Sequence, residues 1–317
     1  MQAVILAAGK GSRLHPITVE RSKAMLPILG KPIVERVMEM LVSNGVNDFI
    51  LVVSPEDRHI TRHFRRASAL DADIRFAYQP ERKGMANALS CAAPLITEDF
   101  VLSACDNLVA ADDVGRLISG MQSEQQPNGI LTLMPVEPER IASGAIVEME
   151  GPWVKRIIEK PRPEEVRSDL ASLPLYAFSK KLLNYLPEVR VSPRGEYELQ
   201  DAMQMLIDRD GKVGSICVER RLTLTNAADL LALNREYLIH GGAHPQLAPL
   251  TVGPGTRLIT PLHIERGTVI GSDCTIGPNV YIERDCQVGN GVTVRDAILL
   301  HGAQIADNTT ITDEVVA

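Results

Sequence analysis

No apolar run in this 317-residue sequence approaches the length of a membrane-spanning helix, so helical passage through a bilayer is excluded and no membrane partner is expected. Paired cysteines are also lacking: the five, at positions 91, 105, 217, 274 and 286, are odd in number, scattered, and free of any C-x-x-C. That argues against a disulfide framework or a structural zinc site and for a reducing compartment, the cytoplasm. There is no excess of positive charge. Lys and Arg number 33 against 40 Asp and Glu, a net charge of −7, so nucleic acid is not an expected partner, and any phosphate binding must use cations concentrated locally. The opening M-Q-A-V-I-L-A-A-G shows neither the basic n-region nor the long apolar stretch of a signal peptide.

What is present is enough apolar material, 45% of residues, to bury a full core and fill two domains. The most informative stretch is residues 4–14, V-I-L-A-A-G-K-G-S-R-L. Val4, Ile5 and Leu6 read as a buried strand that stops at two alanines and a glycine loop. Gly9 and Gly11 let backbone approach a ligand closely, and Lys10 and Arg13 place two cations on the same short loop. A strand, a glycine loop and fixed positive charge make a place to hold phosphate oxygens. The loop is not a dinucleotide fingerprint, because the third glycine of G-x-G-x-x-G would fall on Leu14, and no G-K-[ST] follows to make a P-loop.

Up to about residue 240, apolar strands alternate with amphipathic helical segments, the pattern of a parallel α/β sheet. Helices are expected from Pro32 to Gly45, around Asp57–Ala69 and over Met85–Ala93, with strands at Asp48–Val53, Ile74–Tyr78 and Phe100–Ala104. Open α/β sheets bind ligands at the carboxyl ends of their strands, where Gly9–Arg13, Gln79–Gly84 and Asp106 all fall. From about 252 the period becomes six: Val252, Leu258, Ile264, Ile270, Ile276, Ile282, Val288 and Val294 share one register, which Leu299, Ile305 and Ile311 resume after a single five-residue step. That is the hexapeptide repeat of a left-handed parallel β-helix, with three hexads per coil and three to four coils. The expected division is therefore 1–240 as an α/β domain, 241–251 as a glycine- and proline-bearing linker, and 252–317 as the β-helix.

The glycine loop continues as L-A-A-G-K-G-S-R-L-H-P-I-T and runs into K-A-M-L-P-I-L-G-K-P-I. This resembles the sugar-1-phosphate nucleotidylyltransferases, which join a nucleoside triphosphate to a sugar-1-phosphate and release pyrophosphate. The resemblance implies a Rossmann-like, mostly parallel catalytic domain followed by the β-helix, with a nucleoside triphosphate and a sugar-1-phosphate as substrates and Mg²⁺ as cofactor. A UTP- or dTTP-dependent enzyme is favoured, with GTP the third choice. It further implies that Leu6, Ala8, Gly9, Gly11, Gln79 and Gly84 bind the nucleotide. Arg13 and Lys23 would act on the triphosphate. Gly144, Glu159 and Lys160 would bind the sugar phosphate, Lys160 fixing the attacking group, and Asp106 and Asn226 would hold the metal.

Each assignment has a plainer counterpart. A-C-D-N resembles the family's G-D-N, and a strand-end carboxylate suits a hard cation, yet Asp106 can also simply cap a turn. The family's second metal ligand precedes the last helix of the catalytic domain; in L-T-L-T-N-A-A-D the position falls on Thr223, Thr225 or Asn226, and Asn226 can equally cap that helix. Gln79-Pro80-x-x-x-Gly84 resembles the base-contacting stretch or is a strand-to-helix turn, and Arg82 and Lys83 beside it are read as solvated. Glu159-Lys160-Pro161 matches the family's E-K-P. The sugar side departs from the glucose-type pattern, with Ser143 for tyrosine and Ala171-Ser172-Leu173-Pro174 for A-N-x-G. Glu196–Asp201 either lines a sugar pocket or favours a helix N-terminus. His301 in the β-helix is read as a surface or interface residue rather than a base for acetyl transfer. The rival function is a non-catalytic, nucleotide-sugar-binding regulator that assembles through its β-helix. Homo-oligomerisation through the β-helix is expected in either case, and since every candidate site residue precedes 240, a chain cut there is expected to keep some transfer.

Overall fold

A computed structural model describes residues 1–137, 144–240 and 251–317. Ser143 and nearly all of the expected linker (241–250) lie outside the described residues. The chain forms two compact units, one of residues 1–9 with 34–222 and another of residues 10–33 with 223–317.

The first unit is built on a nine-stranded sheet. Its strands are β1 (Gln2–Leu6), β2 (Asp48–Val53), β3 (Asp73–Tyr78), β4 (Phe100–Ala104), β5 (Gly129–Pro135), β6 (Ala145–Glu150), β7 (Trp153–Glu159), β8 (Leu170–Phe178) and β9 (Val213–Cys217). The order is β7-β6-β8-β4-β1-β2-β3, with β5 on β8 and β9 on β5. Its helices include α1 (Ile33–Val42), α2 (Arg58–Arg66), α3 (Met85–Ala92), α4 (Ala111–Met121) and α5 (Leu199–Asp210). β1 is central, parallel to both β2 and β4, which is why Ala3, Val4 and Ile5 are wholly buried and read as an unbroken apolar run. Asp57 caps α2, its Oδ1 accepting from the N–H groups of His59 and Ile60, so the helix begins one residue inside the expected span.

The sheet is mixed, as a mostly parallel expectation allows, and its antiparallel pairings are local to one side. β8 runs antiparallel to β4, β5 and β6, and β6 and β7 form a hairpin turning at Gly151, φ +61°. Two strands separated by so few residues leave no room for a helical crossover, so they must pair antiparallel. The result is a mixed, mostly parallel core whose β1, β2, β3 and β4 share a carboxyl-end rim at Leu6, Val53, Tyr78 and Ala104.

The second unit holds α6 (Ala227–His240) and a left-handed β-helix of three parallel sheets, each of four rungs. Rungs pair at a spacing of eighteen, as in Thr275↔Thr293, then seventeen, as in Thr293↔Thr310; the five-residue step produces the shorter coil. Ile264, Ile270, Ile276, Ile282, Val288, Val294, Leu299, Ile305 and Ile311 are buried, joined in the core by Cys274, Val280, Cys286 and Val292. Val252 is 38% exposed, because its strand is the outermost rung of its sheet. Corners carry Asp273, Asn279, Asp285, Asp296, Asn308 and Asp313 at positive φ, side chains short and polar enough to tolerate the left-handed region. The same unit contains residues 10–33, with a small hairpin of Pro27–Ile28 against Lys31–Pro32.

Candidate active site

In the first unit the carboxyl-end rim carries Leu6, Ala8, Gly9, Gln79, Gly84 and Asp106 of the expected residues. Ala7 N–H donates to Val52 O, Cys105 N–H to Leu6 O and Gln79 N–H to Val53 O, so Leu6, Ala8, Gly9, Gln79 and Asp106 follow adjacent strand ends. No atom lies within 4 Å of where a Cβ on Gly9 would stand, which leaves that backbone open to an incoming group. Asp106, only 6% exposed, sits two residues beyond β4. Beside it the carboxamide of Asn107 is completely buried, and neither its oxygen nor its nitrogen has a hydrogen-bond partner. A buried strand-end carboxylate next to orphaned amide atoms is oxygen-donor chemistry that fits a hard divalent cation keeping several of its waters. Among the described residues, no group of three or more His, Cys, Asp and Glu side chains forms a protein-only metal cage.

The Gln79–Gly84 turn is tightly made. Gln79 Nε2 donates to Gly84 O at 3.2 Å and to Asn87 Oδ1 at 2.8 Å. Gly84 has φ +99°, and a Cβ there would stand 2.5 Å from Tyr197 O and 2.9 Å from Tyr197 N. The close approach this glycine permits is thus to the protein's own backbone, where Tyr197 N–H donates to Lys83 O and Ala86 N–H to Tyr197 O. One expectation is corrected here. Arg82 is not simply solvated: its Nε donates to Ala8 O at 2.6 Å, tying the turn to the start of the glycine loop. A carbonyl at a strand end with no further strand to pair with needs such a donor. Lys83 pairs at the surface with Glu81.

The sugar-side candidates form a second group in this unit. Glu159 pairs with Ala145 across β7 and β6, Ala145 with Ser172 of β8, and Leu175 of β8 with Ser103 of β4. That register sets the Glu159 end of β7 at the level of the β4 terminus. Lys160 follows at φ +47°, exposed, its N–H donating to Gly144 O at 2.9 Å; a Cβ on Gly144 would meet nothing within 4 Å. Burial pushes the Glu159 carboxyl up, with the Arg194 guanidinium opposing and the Glu198 carboxylate adding to the rise. Arg194 lies between the two acids, 3.6 Å from Glu159 and 2.7 Å from Glu198. Glu198 precedes α5, and Asp201 in its first turn is also pushed up, by burial and then by Glu198. Arg194 was missed in the sequence; a lone S-P-R-G stretch carries no motif, and only the fold shows that it turns back onto Glu159. Ser172, which departs from the family pattern, bonds Tyr176 at 2.9 Å, and burial lifts the Tyr176 hydroxyl to about 12.

Gly11, Arg13, Lys23 and Asn226 belong to the second unit. Gly11 adopts φ +67° and ψ +38° and is followed by a short 3-10 turn, Ser12–Leu14, that carries Arg13 outward to solvent. A Cβ on Gly11 would stand 2.8 Å from Lys23 Cβ, so the glycine is what lets the Lys23 stem lie against the Arg13-bearing loop. Thr18 Oγ1 closes the segment by donating to Gly11 O at 3.0 Å. Asn226 Oδ1 accepts from Asp229 N–H at 3.0 Å while Asp229 Oδ2 accepts from Asn226 N–H at 3.1 Å. This reciprocal cap of α6 realises one of the two readings left open for Asn226. His301 is exposed.

Residues 2–222 match the family model described as "Nucleotidyl transferase", and residues 258–317 match one described as "GMPPB C-terminal domain". The chain is 32% identical over 219 residues to the UTP–glucose-1-phosphate uridylyltransferase AglF of Haloferax volcanii, covering 69% of this chain and 88% of that one. It is 27% identical over 314 residues to a glucose-1-phosphate thymidylyltransferase of Streptomyces antibioticus, covering 98% of this chain and 84% of that one. It spans about half, 54%, of a bifunctional GlmU protein of Methanococcus maripaludis. A solved UDP-glucose pyrophosphorylase in complex with UDP-glucose superimposes with a TM-score of 0.68 at 21% identity, covering 74% of this chain and 97% of that one, a likeness of fold.

Proposed function

Because the chain belongs to the sugar-1-phosphate nucleotidylyltransferase family, we propose that it transfers a nucleoside monophosphate from a triphosphate to a sugar-1-phosphate, giving an NDP-sugar and pyrophosphate. UTP or dTTP is the favoured donor, in keeping with the uridylyl- and thymidylyltransferases it resembles, and GTP is the third to test. The observation that carries the reading is the strand-end rim: an open Gly9 backbone, the Gln79–Gly84 turn and a buried Asp106 at the carboxyl ends of the parallel strands β1, β3 and β4.

A phosphate oxygen of the sugar-1-phosphate attacks the α-phosphorus in line, and the bond to the β-phosphate oxygen breaks to release pyrophosphate. The attacking monoester is already ionised and pyrophosphate is a competent leaving group, so little proton transfer is needed and the work is positioning and charge neutralisation. Arg13 and the amides of Gly9–Gly11 hold the β- and γ-phosphates and stabilise the departing pyrophosphate. Lys23 reaches the α-phosphate, Gln79 and Gly84 meet the base, Glu159 and Gly144 meet the sugar, and Lys160 holds the attacking phosphate. The family uses a divalent metal; Mg²⁺, held by Asp106, would offset charge shared by both substrates. Asn226, whose Oδ1 caps α6 with one lone pair and keeps another, would be the second metal ligand, and a failure of that role would favour the regulatory, non-catalytic reading. Pyrophosphate release across a panel of triphosphates and sugar phosphates tests the proposal; no release with any pair leaves the regulator. The enzyme is further proposed to work in the cytoplasm as a homo-oligomer that meets its copies through the flat β-helix faces. Light scattering at a monomer mass would refute the assembly.

A further inference from the structure

The segment that carries Arg13 and Lys23 has almost no regular structure of its own. Between Lys10 and Ile33 it forms two 3-10 turns and one hairpin of two-residue strands, and a segment with so little regular structure depends on packing partners for its shape. Some of those partners come from the far end of the chain. Arg21 Nη1 donates to Glu283 Oε1 at 2.8 Å and Nη2 to Oε2 at 2.9 Å, a bidentate pair of two planar groups. Arg21 is 20% exposed and Glu283 10% at the side chain, and Glu283 Oε2 also accepts from His301 N–H at 2.8 Å. The tip of the hairpin is held from the same β-helix coil: Gly30 N–H donates to Tyr281 Oη at 3.2 Å, and the Tyr281 hydroxyl donates to Glu265 Oε1 at 2.5 Å. Burial and the carboxylates of Glu265 and Glu283 push the Tyr281 hydroxyl well up, so it stays protonated and can make both bonds at once. From α6, Asn234, 1% exposed, accepts from Leu29 N–H and donates to Pro27 O.

A partly buried ion pair is a poor source of stability, since desolvation offsets much of the attraction, but a good device for fixing one arrangement among several. We infer that Glu283, with Tyr281, is a positioning residue for nucleotidyl transfer: the β-helix clamps the loop two residues from Lys23 and thereby sets Arg13 and Lys23 for the triphosphate. The inference rests on the transfer reading for the roles of those two cations. It assigns the β-helix a part in forming the triphosphate subsite besides assembly. It also reverses the expectation for a chain cut after residue 240, which keeps every candidate site residue but loses the groups that hold two of them.

The test compares the full-length protein with Glu283→Gln, Glu283→Ala and the exchange Arg21→Glu/Glu283→Arg. Glu283→Ala is expected to raise KM for the triphosphate and lower kcat, together by about tenfold or more, with KM for the sugar phosphate nearly unchanged. Glu283→Gln should fall between, and the exchange should recover part of the loss. Independently of activity, hydrogen exchange in Glu283→Ala should quicken at residues 10–25 and stay slow in the remaining β-helix coils. Unchanged kinetics and unchanged exchange at 10–25 would overturn the inference. So would a loss of protection spread evenly over the whole protein with both KM values rising together. If wild-type protein transfers nothing, the proposed function fails, and the exchange experiment alone still decides whether Glu283 holds the loop.

Discussion

Gly9 and Gly11 are separated by one residue, yet the structure gives alanine at the two sites opposite consequences. At Gly11 the backbone sits at φ +67°, where a side chain costs about 1–2 kcal/mol. The new methyl would also stand 2.8 Å from Lys23 Cβ and 3.3 Å from Thr18 Cγ2. Lys23 Cβ is no flexible tip, so the Lys23 stem must retreat by roughly half an ångström, and strain of that kind adds about 1–3 kcal/mol. A gain of about 0.4–1 kcal/mol from the stiffer unfolded chain offsets part of this. Gly11→Ala should therefore melt several degrees lower, and because displacing a phosphate-holding group by about 1 Å can cost about a hundredfold, its kcat should fall by at least about tenfold. Gly9→Ala meets nothing within 4 Å and should melt like wild type. Its methyl should be felt only when triphosphate binds, as a raised KM for that substrate. Differential scanning calorimetry and initial rates of pyrophosphate release, with each substrate varied in turn, read both effects. A Gly9→Ala enzyme with wild-type triphosphate KM, or a Gly11→Ala enzyme with wild-type kcat, would refute the argument for its site.

Arg13→Ala should fold normally and lose about a hundredfold or more in turnover, since it removes fixed charge from the leaving group; near-normal pyrophosphate release by the folded variant would end that assignment. Asp106→Asn replaces an anionic oxygen donor by a neutral amide of nearly the same shape, so a Mg²⁺ titration of rate should shift to higher concentration and lower maximum, and superimposable curves would place the metal elsewhere. Burial raises the Glu159 carboxyl above its ordinary value of 4.5. The folded state therefore holds that proton at pH values where the unfolded chain has released it, and stability declines as pH rises through the interval between the two. Glu159→Gln should accordingly melt higher than wild type at neutral pH, with the gain shrinking as the pH is lowered through that interval; a gain that does not change with pH would contradict the cause assigned to the shift.

Local signals in the sequence carried far in this chain. The six-residue period marked the β-helix core from Ile264 to Ile311 because each coil repeats the same inward positions, and the run Val4–Leu6 marked the central strand because both its faces are covered. The strand-end placement of Asp106 followed from the same periodicity. What escaped depended on partners distant along the chain. Arg194 meets Glu159 across 35 positions and Arg82 meets Ala8 across 74, and neither spacing leaves a pattern. Which strands run antiparallel was hidden because an apolar strand flanked by turns looks the same whichever way its neighbour runs. The Gly11–Lys23 contact was invisible for a different reason: a conformational requirement at one residue and a packing requirement at another coincide on a single missing methyl group.

The clamp on residues 10–33 also sets an order of events during synthesis. Arg21 and Glu283 are 262 positions apart, Gly30 and Tyr281 are 251, and Leu29 and Asn234 are 205. Translation at about 5–20 residues per second puts Glu283 on the ribosome about 13–50 s after Arg21. Throughout that interval Arg21 and Gly30 wait for these β-helix partners, while β1 through β9 can already find one another. Widening a loop of this size adds little further entropy cost, so the late closure delays the native state more than it weakens it. The glycine loop is among the first parts of the chain to be made and among the last to be finished, and an interrupted chain would emerge with its sheet complete and its opening loop still unbraced.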